Sequence, residues 1–190
     1  MVQVEAYRQA DCPEPVRVQV LRLMKLEWPS TFRPGRPEWP SEPVELDPVS
    51  IVLLVDGEAM SHAAVLRAQI EHAGGRWLAF GVAAMVTAPG SRGKGFGTRV
   101  FEEATEYMRK EGADIGVFTC DEPLRRFYER GGWSVSRGSP LVGGTREKPF
   151  RSEDLGKVTV IRLFSPRAQA NRAAITSSPI RIDLGEGKLW

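Results

Sequence analysis

The chain has 190 residues and a mass of 21.1 kDa, enough for one good-sized domain. Hydrophobic residues make up 42% and charged residues 26%, a globular composition that excludes disordered and fibrous chains. The 26 basic and 24 acidic residues give a net charge of only +2, which argues against a dedicated nucleic-acid-binding protein.

The first part of the chain predicts a strand, a helix and a long loop. Apolar and polar residues alternate along Val2–Tyr7, which predicts the strand. Pro13–Trp28 predicts the helix, with Asp11 as its N-cap. Between Pro29 and Pro48 lie six of the fourteen prolines, which predict a loop because proline lacks an amide hydrogen. Such long loops often bind ligands, so we expect segment 29–48 on the substrate side. The apolar stripe of the helix is Val16, Val20, Leu23 and Leu26.

Three aromatic side chains, Trp28, Phe32 and Trp39, lie in or beside the proline-rich loop. Large apolar side chains are often buried, so we expect first that they hold the loop against the core. Substrate contact is the alternative, and Trp39 is the residue we assign to it.

A hairpin and a long apolar strand are predicted next. Ser50–Val55 and Ala59–Ile70 predict two strands, joined by Asp56-Gly57, a strong two-residue hairpin signal. A second turn is expected at Gly74-Gly75. Trp77–Thr87 then forms a long, nearly uncharged stretch and is the expected central strand.

The second half alternates between helix and strand patterns. Thr98–Glu111 predicts an amphipathic helix that ends at Gly112. Its inward residues are Val100, Phe101, Ala104 and Met108. The remaining predicted elements are a strand over Asp114–Thr119, a short helix over Pro123–Arg130, strands over Trp133–Arg137 and Val158–Phe164, a loop over Gly138–Gly156, and a tail over Ser165–Trp190 with a strand at Ile180–Leu184.

Neither a disulfide framework nor a membrane segment is expected. Cys12 and Cys120 are too few for a disulfide scaffold and fit a reducing compartment. The apolar runs 51–55 and 82–86 are far shorter than the roughly 20 residues that span a bilayer. The first residues, MVQVEAYRQAD, lack the pattern of a signal peptide. We therefore expect a cytoplasmic protein with no membrane or nucleic-acid partner.

The segment Ala88–Gly97, APGSRGKGFG, follows the expected central strand and leads into the next helix. Closely spaced glycines let backbone amides approach an anion, and a helix N-terminus adds partial positive charge. Arg92 and Lys94 add full charges. Together these features predict a phosphate or pyrophosphate site.

Two known phosphate motifs fit this segment poorly. The nucleotide P-loop, GxxxxGK[ST], needs a Mg²⁺-binding hydroxyl where Gly95 stands. The dinucleotide motif GxGxxG differs in spacing from Gly93-x-Gly95-x-Gly97. A nucleotide hydrolase, which would bind ATP with Mg²⁺, is therefore disfavoured.

A third motif fits. Arg92–Gly97, RGKGFG, resembles R/Q-x-x-G-x-G/A, the coenzyme A motif of the GNAT acyltransferase superfamily. Downstream, Arg126–Trp133, RFYERGGW, resembles its second motif, L/F-Y-x-x-x-G-F/W. The resemblance covers about Val2–Phe164. It implies an α+β (mixed α/β) GNAT fold, with a central mixed, mostly antiparallel, splayed β-sheet flanked by helices. It also implies one acyltransferase domain over 1–164 and a C-terminal tail, 165–190, that packs near the acceptor site.

The resemblance implies an N-acetyltransferase that uses acetyl-CoA and no metal. The backbone of 92–98 corresponds to the family's pyrophosphate site, and the end of the central strand to its pantetheine site. Tyr128 corresponds to the tyrosine that protonates the coenzyme A thiolate, a step that suits a phenol with a pKa of about 10. The implied cofactor-binding residues are Met85, Val86, Thr87, Arg92, Gly93, Lys94, Gly95, Phe96, Gly97 and Thr98.

The general base stays open. Many family members carry a glutamate on the central strand, but Trp77–Thr87 contains no acid. A water relay to a distant acid and uptake of an already neutral amine are two alternatives. The candidate side chains are Glu71 and Asp121, with the neighbouring His72 and Glu122.

Two further side chains with reactive groups are left out of the catalytic set. Cys120 has no identifiable partner base to activate its thiol, so direct transfer is expected rather than an acyl-enzyme intermediate. His62 is a lone histidine within a strand, and we expect it to have a structural role.

Within the superfamily, the chain resembles the aminoglycoside 2'-N-acetyltransferases. The likeness lies in HAAV at 62–65, RRFY at 125–128 followed by RGGW, and DLGEGKLW at 183–190. It implies that Asp183 and Trp190 bind the acceptor. Lys188 stands where that branch has an acid, and a lysine would repel a polycation. Asp183, Glu186 and the terminal carboxylate remain, so we expect a small, cationic amine as acceptor, either an aminoglycoside or another amine.

Two alternatives accompany this assignment. A non-catalytic acyl-CoA-binding sensor domain of the same fold is favoured by the missing strand acid and disfavoured by Tyr128. Dimers are frequent in the family, so a homodimer is also compatible with the resemblance.

Overall fold

The computed structural model of the chain describes residues 1–32, 39–185 and 188–190. Part of the proline-rich loop, 33–38, and residues 186–187 of the tail therefore lie outside the described residues. The chain divides into two compact units, the first formed by Met1–Leu66 and Val82–Tyr107, the second by Arg67–Gly81 and Met108–Trp190. The single domain over 1–164 stays a prediction.

The first unit contains the predicted strand–helix–hairpin sequence. In the hairpin turn, Asp56 has φ 50° and Gly57 has φ 84°, the positive values that a two-residue turn between twisted strands requires. The elements of this unit are β1 (Val2–Arg8), α1 (Glu14–Glu27), β2 (Val49–Val55), the first part of β3 (Glu58–His72), the second part of β4 (Gly75–Thr87) and most of α2 (Phe96–Lys110). The strand order is β1-β2-β3-β4, and the pairs β1 with β2 and β2 with β3 are antiparallel.

The second unit continues β3 and β4 and adds further strands and short helices. The added elements are β5 (Ile115–Asp121), α3 (Arg125–Arg130), β6 (Ser134–Val135), β7 (Leu141–Gly144), β8 (Pro149–Arg151), β9 (Lys157–Leu163), α4 (Pro166–Ala170), α5 (Arg172–Ile175) and β10 (Ile180–Arg181). β5 pairs with β9 in an antiparallel ladder that places Ile115 opposite Leu163 and Asp121 opposite Lys157. The parallel ladder of β5 with β4 is short, with Ile115 opposite Ala79 and Gly116 opposite Phe80. β6 lies on the other edge of β9.

The aromatic residues of the proline-rich loop pack against the core of the first unit. Trp28, Phe32 and Trp39 are partly buried against the core cluster, as the packing interpretation predicted. In addition, the Nε1–H group of Trp39 donates to the carbonyl of Gln9 at 2.7 Å. The cluster itself consists of Val20, Leu23, Met24, Val52, Leu54, Ala59 and Val86.

Two predictions for α1 are wrong in detail. Its N-cap is Pro13, and no side chain caps it, because Asp11 lies in a preceding 3-10 turn. Leu26 is 62% exposed, and Met24 is buried in the stripe instead.

The four inward residues predicted for α2 are all buried, although the helix begins earlier than predicted, at Phe96. No helix in the described ranges is long and apolar enough to cross a membrane.

Gly138–Gly156 was predicted to be a loop, and this is wrong. It contains β7 and β8, which form a three-stranded sheet in the order β10-β7-β8. The tail contains α4 and α5, and the strand predicted at Ile180–Leu184 is limited to β10. These elements have only two to five residues each, and β7 ends in two glycines, so tertiary contacts rather than local propensity determine them.

Gly116 of β5 provides a test of the packing in the second unit. A Cβ atom there would lie 2.8 Å from the Phe164 ring and even closer to Trp133. We therefore expect Gly116→Ala to lower the free energy of unfolding by about 1–3 kcal/mol, a typical cost of overpacking. Gly90→Ala is the matched control, because its added Cβ meets no atom within 4 Å. Urea-induced unfolding measures both, and equal stabilities would contradict this packing.

Candidate active site

The glycine-rich segment forms the loop between β4 and α2 in the first unit. Gly93 and Gly95 have φ values of 78° and 81°, in the left-handed region that side chains disfavour. No atom lies within 4 Å of a Cβ built at Gly90, Gly93 or Gly95. The backbone of the loop is therefore open to the close approach of a ligand.

The first turn of α2 adds amide groups to this loop. The Arg99 N–H group donates to Gly95 O at 3.0 Å and closes the first helical turn. The amides of 96–98 therefore have no acceptor within the helix, and the positive end of the helix dipole lies there. The predicted pyrophosphate-binding residues 92–98 thus form one continuous loop and helix start.

The two cations of the loop differ in their surroundings. Arg92 is 53% exposed; its Nε donates to Thr87 O at 3.2 Å, and its guanidinium pairs with Glu27. Lys94 is exposed on the loop. The Arg92 side chain thus ties the loop to the end of β4 and to α1.

The end of β4 has an irregular backbone. Ala84 has φ 47°, which is unusual for a residue with a side chain. Its carbonyl oxygen lies 3.0 Å from His62 Nδ1, and Ser61 Oγ donates to Val86 O at 3.0 Å. Met85, Val86 and Thr87 therefore follow a distorted position held by β3 side chains. Sequence reasoning missed this feature, because nothing in an alanine indicates a left-handed conformation.

Tyr128 lies on α3 in the second unit and is only 6% exposed. Its ring packs edge-on against Phe118 at 4.9 Å and Phe127 at 5.0 Å. Burial raises the pKa of the Tyr128 phenol far above its ordinary value of about 10, and the nearby Cys120 and Asp121 raise it further. The phenol therefore keeps its proton at neutral pH, but it is a weaker acid than the tyrosine with an ordinary pKa of about 10 that the resemblance implied.

Cys120 precedes Asp121 at the end of β5. Burial raises the pKa of its thiol to about 11, and the carboxylates of Asp121 and Glu122 act in the same direction. The thiol is thus protonated near neutral pH and is a poor nucleophile. This environment supports direct transfer without an acyl-cysteine intermediate.

The candidate bases are exposed or engaged with other groups. Glu71 is exposed at the end of β3. Asp121 is largely exposed and pairs with Lys157 at 2.7 Å. His72 is buried, and its Nε2 lies 2.8 Å from Ile175 O. Nothing in these surroundings singles out one of them, so the base stays a prediction. The described residues contain no His, Cys, Asp and Glu cluster that could hold a metal ion.

Trp190 is buried in the second unit, with 5% exposure. Its carbonyl oxygen accepts from the N–H group of Thr119 at 2.9 Å, and also from the Thr119 hydroxyl. Its indole packs so closely on Gly81 of β4 that a Cβ atom there would overlap the ring. Asp183 is exposed. Sequence reasoning did not anticipate this anchoring of Trp190, because residues 119 and 190 are far apart along the chain.

Comparison with known proteins gives the chain a family. The family model described as "Acetyltransferase (GNAT) domain" matches residues 16–136, more than half of the chain. No curated protein sequence matches. Members of this family are acyltransferases that use acetyl-CoA.

Solved structures share the fold at low sequence identity. An acyl-CoA N-acyltransferase from Pseudomonas aeruginosa has a TM-score of 0.60 and 14% identity, over 85% of this chain and 99% of its own. Escherichia coli ElaA has a TM-score of 0.61 and 12% identity, over 85% and 99%. An aminoglycoside 6'-N-acetyltransferase complexed with coenzyme A has a TM-score of 0.62 and 13% identity, over 87% and 98%. The chain therefore belongs to the GNAT acetyltransferase family, and it has that family's fold, a mostly antiparallel sheet with helices.

Proposed function

We propose that this chain transfers an acetyl group directly from acetyl-CoA to an amine of a small, cationic acceptor. The observation that supports this most is the loop at 92–98. Two left-handed glycines leave its backbone open, and the amides of the first turn of α2 follow at once. Open amides at a helix N-terminus suit a pyrophosphate, so these residues fit coenzyme A.

Acetyl-CoA, when bound, would supply the thioester whose carbonyl carbon accepts the amine. The amine forms the new C–N bond, the C–S bond breaks, and the thiolate leaves with its electron pair. Tyr128 holds the proton that this thiolate takes up. The amine loses its proton to a base, for which Glu71 and Asp121 are the proposed side chains. Met85, Val86 and Thr87 orient the pantetheine arm along β4.

The acceptor assignment rests on the likeness to aminoglycoside 2'-N-acetyltransferases at 62–65, 125–133 and 183–190. The exposed carboxylate of Asp183 is suited to an ammonium group, and the partly buried Trp39 supplies apolar surface, whereas Trp190 is only 5% exposed and offers little surface to an acceptor. One structural relative is named as an aminoglycoside 6'-N-acetyltransferase. We therefore propose aminoglycosides or other small cationic amines as acceptors.

Turnover with a panel of amines tests this function. Thiol release from acetyl-CoA is measured with an aminoglycoside, spermidine, lysine and, as neutral control, an amide. Release with at least one cationic amine and none with the amide is expected. Tight coenzyme A binding without release on any amine would favour the sensor domain, and Mg²⁺-dependent ATP binding would favour a nucleotide hydrolase.

The conformation of Gly95 makes the coenzyme A site testable. An alanine at φ 81° costs roughly 1–2 kcal/mol, so Gly95→Ala disfavours the binding conformation of the loop. We expect coenzyme A affinity to fall about tenfold, because 1.4 kcal/mol corresponds to a factor of ten. Gly90→Ala is the control, since its Cβ meets open space at an ordinary φ. Calorimetry that gives both variants the same affinity would contradict a role for this backbone.

A further inference from the structure

The strand β4 has a local distortion at Ala84 that its own side chain does not explain. The left-handed φ of 47° is disfavoured for any residue with a Cβ atom. The carbonyl oxygen of Ala84 lies 3.0 Å from Nδ1 of His62, a residue of β3 that is fully buried in the same unit. The imidazole therefore stabilises a conformation that an alanine would not adopt by itself.

This hydrogen bond also sets the direction of the next amide. In a trans peptide, the C=O and N–H groups point in opposite directions. Since the Ala84 carbonyl faces the His62 ring, the N–H group of Met85 points away from that ring. Met85 is one of the residues that we assign to the pantetheine arm and the thioester.

Ser61 of β3 binds the backbone carbonyl of Val86, two residues after Ala84 on β4. Its hydroxyl donates to Val86 O at 3.0 Å and lies 2.9 Å from the hydroxyl of Thr87. By the same peptide geometry, the Thr87 N–H group points away from Ser61. His62 and Ser61 thus hold the carbonyls of Ala84 and Val86, and the N–H groups of Met85 and Thr87 each point away from the side chain that holds the preceding carbonyl.

The partners of His62 determine which ring nitrogen carries the proton. A carbonyl oxygen only accepts, so Nδ1 is protonated, and Nε2 accepts from Ser50 Oγ at 3.0 Å. The Ser50 oxygen accepts in turn from Nε2 of Gln9 at 3.2 Å. Gln9, Ser50 and His62 are all fully buried. Gln9 Nε2 carries a second hydrogen, which it donates to Ser41 Oγ at 2.9 Å. The hydrogen bonds from Gln9 through Ser50 and His62 to Ala84 therefore all run in one direction.

The network reaches the proline-rich loop at its other end. Gln9 Oε1 accepts the N–H of Ser41 at 2.9 Å, and the Gln9 carbonyl accepts from Trp39. The Ser41 contact also defines the orientation of the Gln9 amide, since an N–H group can only donate. A buried chain of hydrogen bonds therefore connects the loop that we assign to the acceptor with the strand that we assign to the donor.

We propose that His62 is a positioning residue for acetyl transfer: its neutral ring, protonated on Nδ1, aims the Met85 amide at the acyl carbonyl oxygen. The inference rests on the proposed function. A donor aimed at a carbonyl oxygen gains most as negative charge develops there, so it stabilises the transition state more than the bound substrate. Loss of this alignment should therefore lower kcat and leave the KM for acetyl-CoA nearly unchanged.

Two substitutions of similar size separate positioning from structural support. The amide of His62→Asn lies where Nδ1 was and can still donate to Ala84 O, whereas the longer amide of His62→Gln replaces Nε2 and keeps only the Ser50 contact. We expect H62Q to have a kcat about tenfold or more below that of H62N, since a lost oxyanion donor costs about 10²–10³. The KM values for acetyl-CoA should agree within about twofold, because ground-state binding is not involved.

A spectroscopic measurement accompanies the kinetics. The ¹⁵N spectrum of the His62 ring in the wild type should show a protonated Nδ1 and an unprotonated Nε2. Ser50→Ala leaves the Ala84 contact in place, so it should keep the proton on Nδ1 and a kcat closer to that of the wild type than to that of H62Q. Equal kcat values for H62N and H62Q, or a proton on Nε2 in the wild type, would overturn this inference alone. If the histidine variants do not fold, the position of the ring proton in the wild type and in Ser50→Ala still tests the inference. Absence of thiol release by the wild type with every amine would instead overturn the proposed function.

Discussion

Tyr128→Phe should lower kcat by about 100-fold or more, the range typical of a lost general acid. The substitution removes only the hydroxyl, and the ring keeps its edge-on packing against Phe118 and Phe127. The fold and the affinity for coenzyme A should therefore be preserved. Steady-state thiol release and calorimetry with coenzyme A measure the two quantities separately.

Tyr7→Phe is the matched control for this substitution. The Tyr7 phenol lies on β1, donates to Glu5, and has a pKa raised to about 12, mainly by burial. Tyr7→Phe therefore also removes a phenol hydrogen bond, but at a position that we assign no role in the reaction. Its kcat should stay within about twofold of the wild-type value. Equal kcat values for Y128F and the wild type would exclude Tyr128 as the proton donor.

The same phenol gives an expectation for alkaline pH. A tyrosine with an ordinary pKa of about 10 would lose half of its proton at that pH. Because burial raises the pKa of Tyr128 well above this value, the donor form persists there. The pH profile of kcat should therefore show no decline near pH 10 from loss of this proton.

The second large effect concerns stability in acid. Burial lowers the pKa of His62 from its ordinary 6.5 to about 4 in the folded protein, and the neighbours given above, Gln9, Ser50 and Ala84, carry no charge. Between these two pH values the unfolded chain binds a proton that the folded chain does not. His62 therefore contributes its full stabilisation above pH 6.5, and about 3 kcal/mol of it is lost as the pH falls through 4.

Urea-induced unfolding between pH 7.5 and pH 4 measures this loss. His62→Asn has no titrating group at this position, so the difference between the two stability curves isolates the histidine. We expect the wild type to lose about 3 kcal/mol more than H62N over this range. Parallel curves for the two proteins would show that His62 is not buried in its neutral form.

The long periodic elements were predictable from sequence, since they depend on local patterns. The apolar stripe of α2 and the Asp56-Gly57 turn carry the information within a few residues. The short elements β7, β8, α4 and α5 have no such pattern and form because partners distant in sequence meet them. The same holds for Trp190, whose carbonyl is bound by Thr119.

The candidate site likewise contains residues that could be predicted from local sequence and residues that could not. The roles proposed for the loop at 92–98 and for Tyr128 could be predicted from sequence, because each rests on a short motif. The alignment proposed for Met85 could not, because it requires contacts among residues 50, 62 and 84, which the fold brings together. The general base is likewise not apparent from sequence, since its role depends on burial and distance to a reacting amine.

Amide hydrogen exchange with and without coenzyme A tests the central claim most directly. If the backbone of 92–98 binds the pyrophosphate, saturating coenzyme A should slow exchange of these amides, and ATP with Mg²⁺ should leave them unchanged. Unchanged exchange at 92–98 in a chain that demonstrably binds coenzyme A would place the cofactor elsewhere and contradict the account.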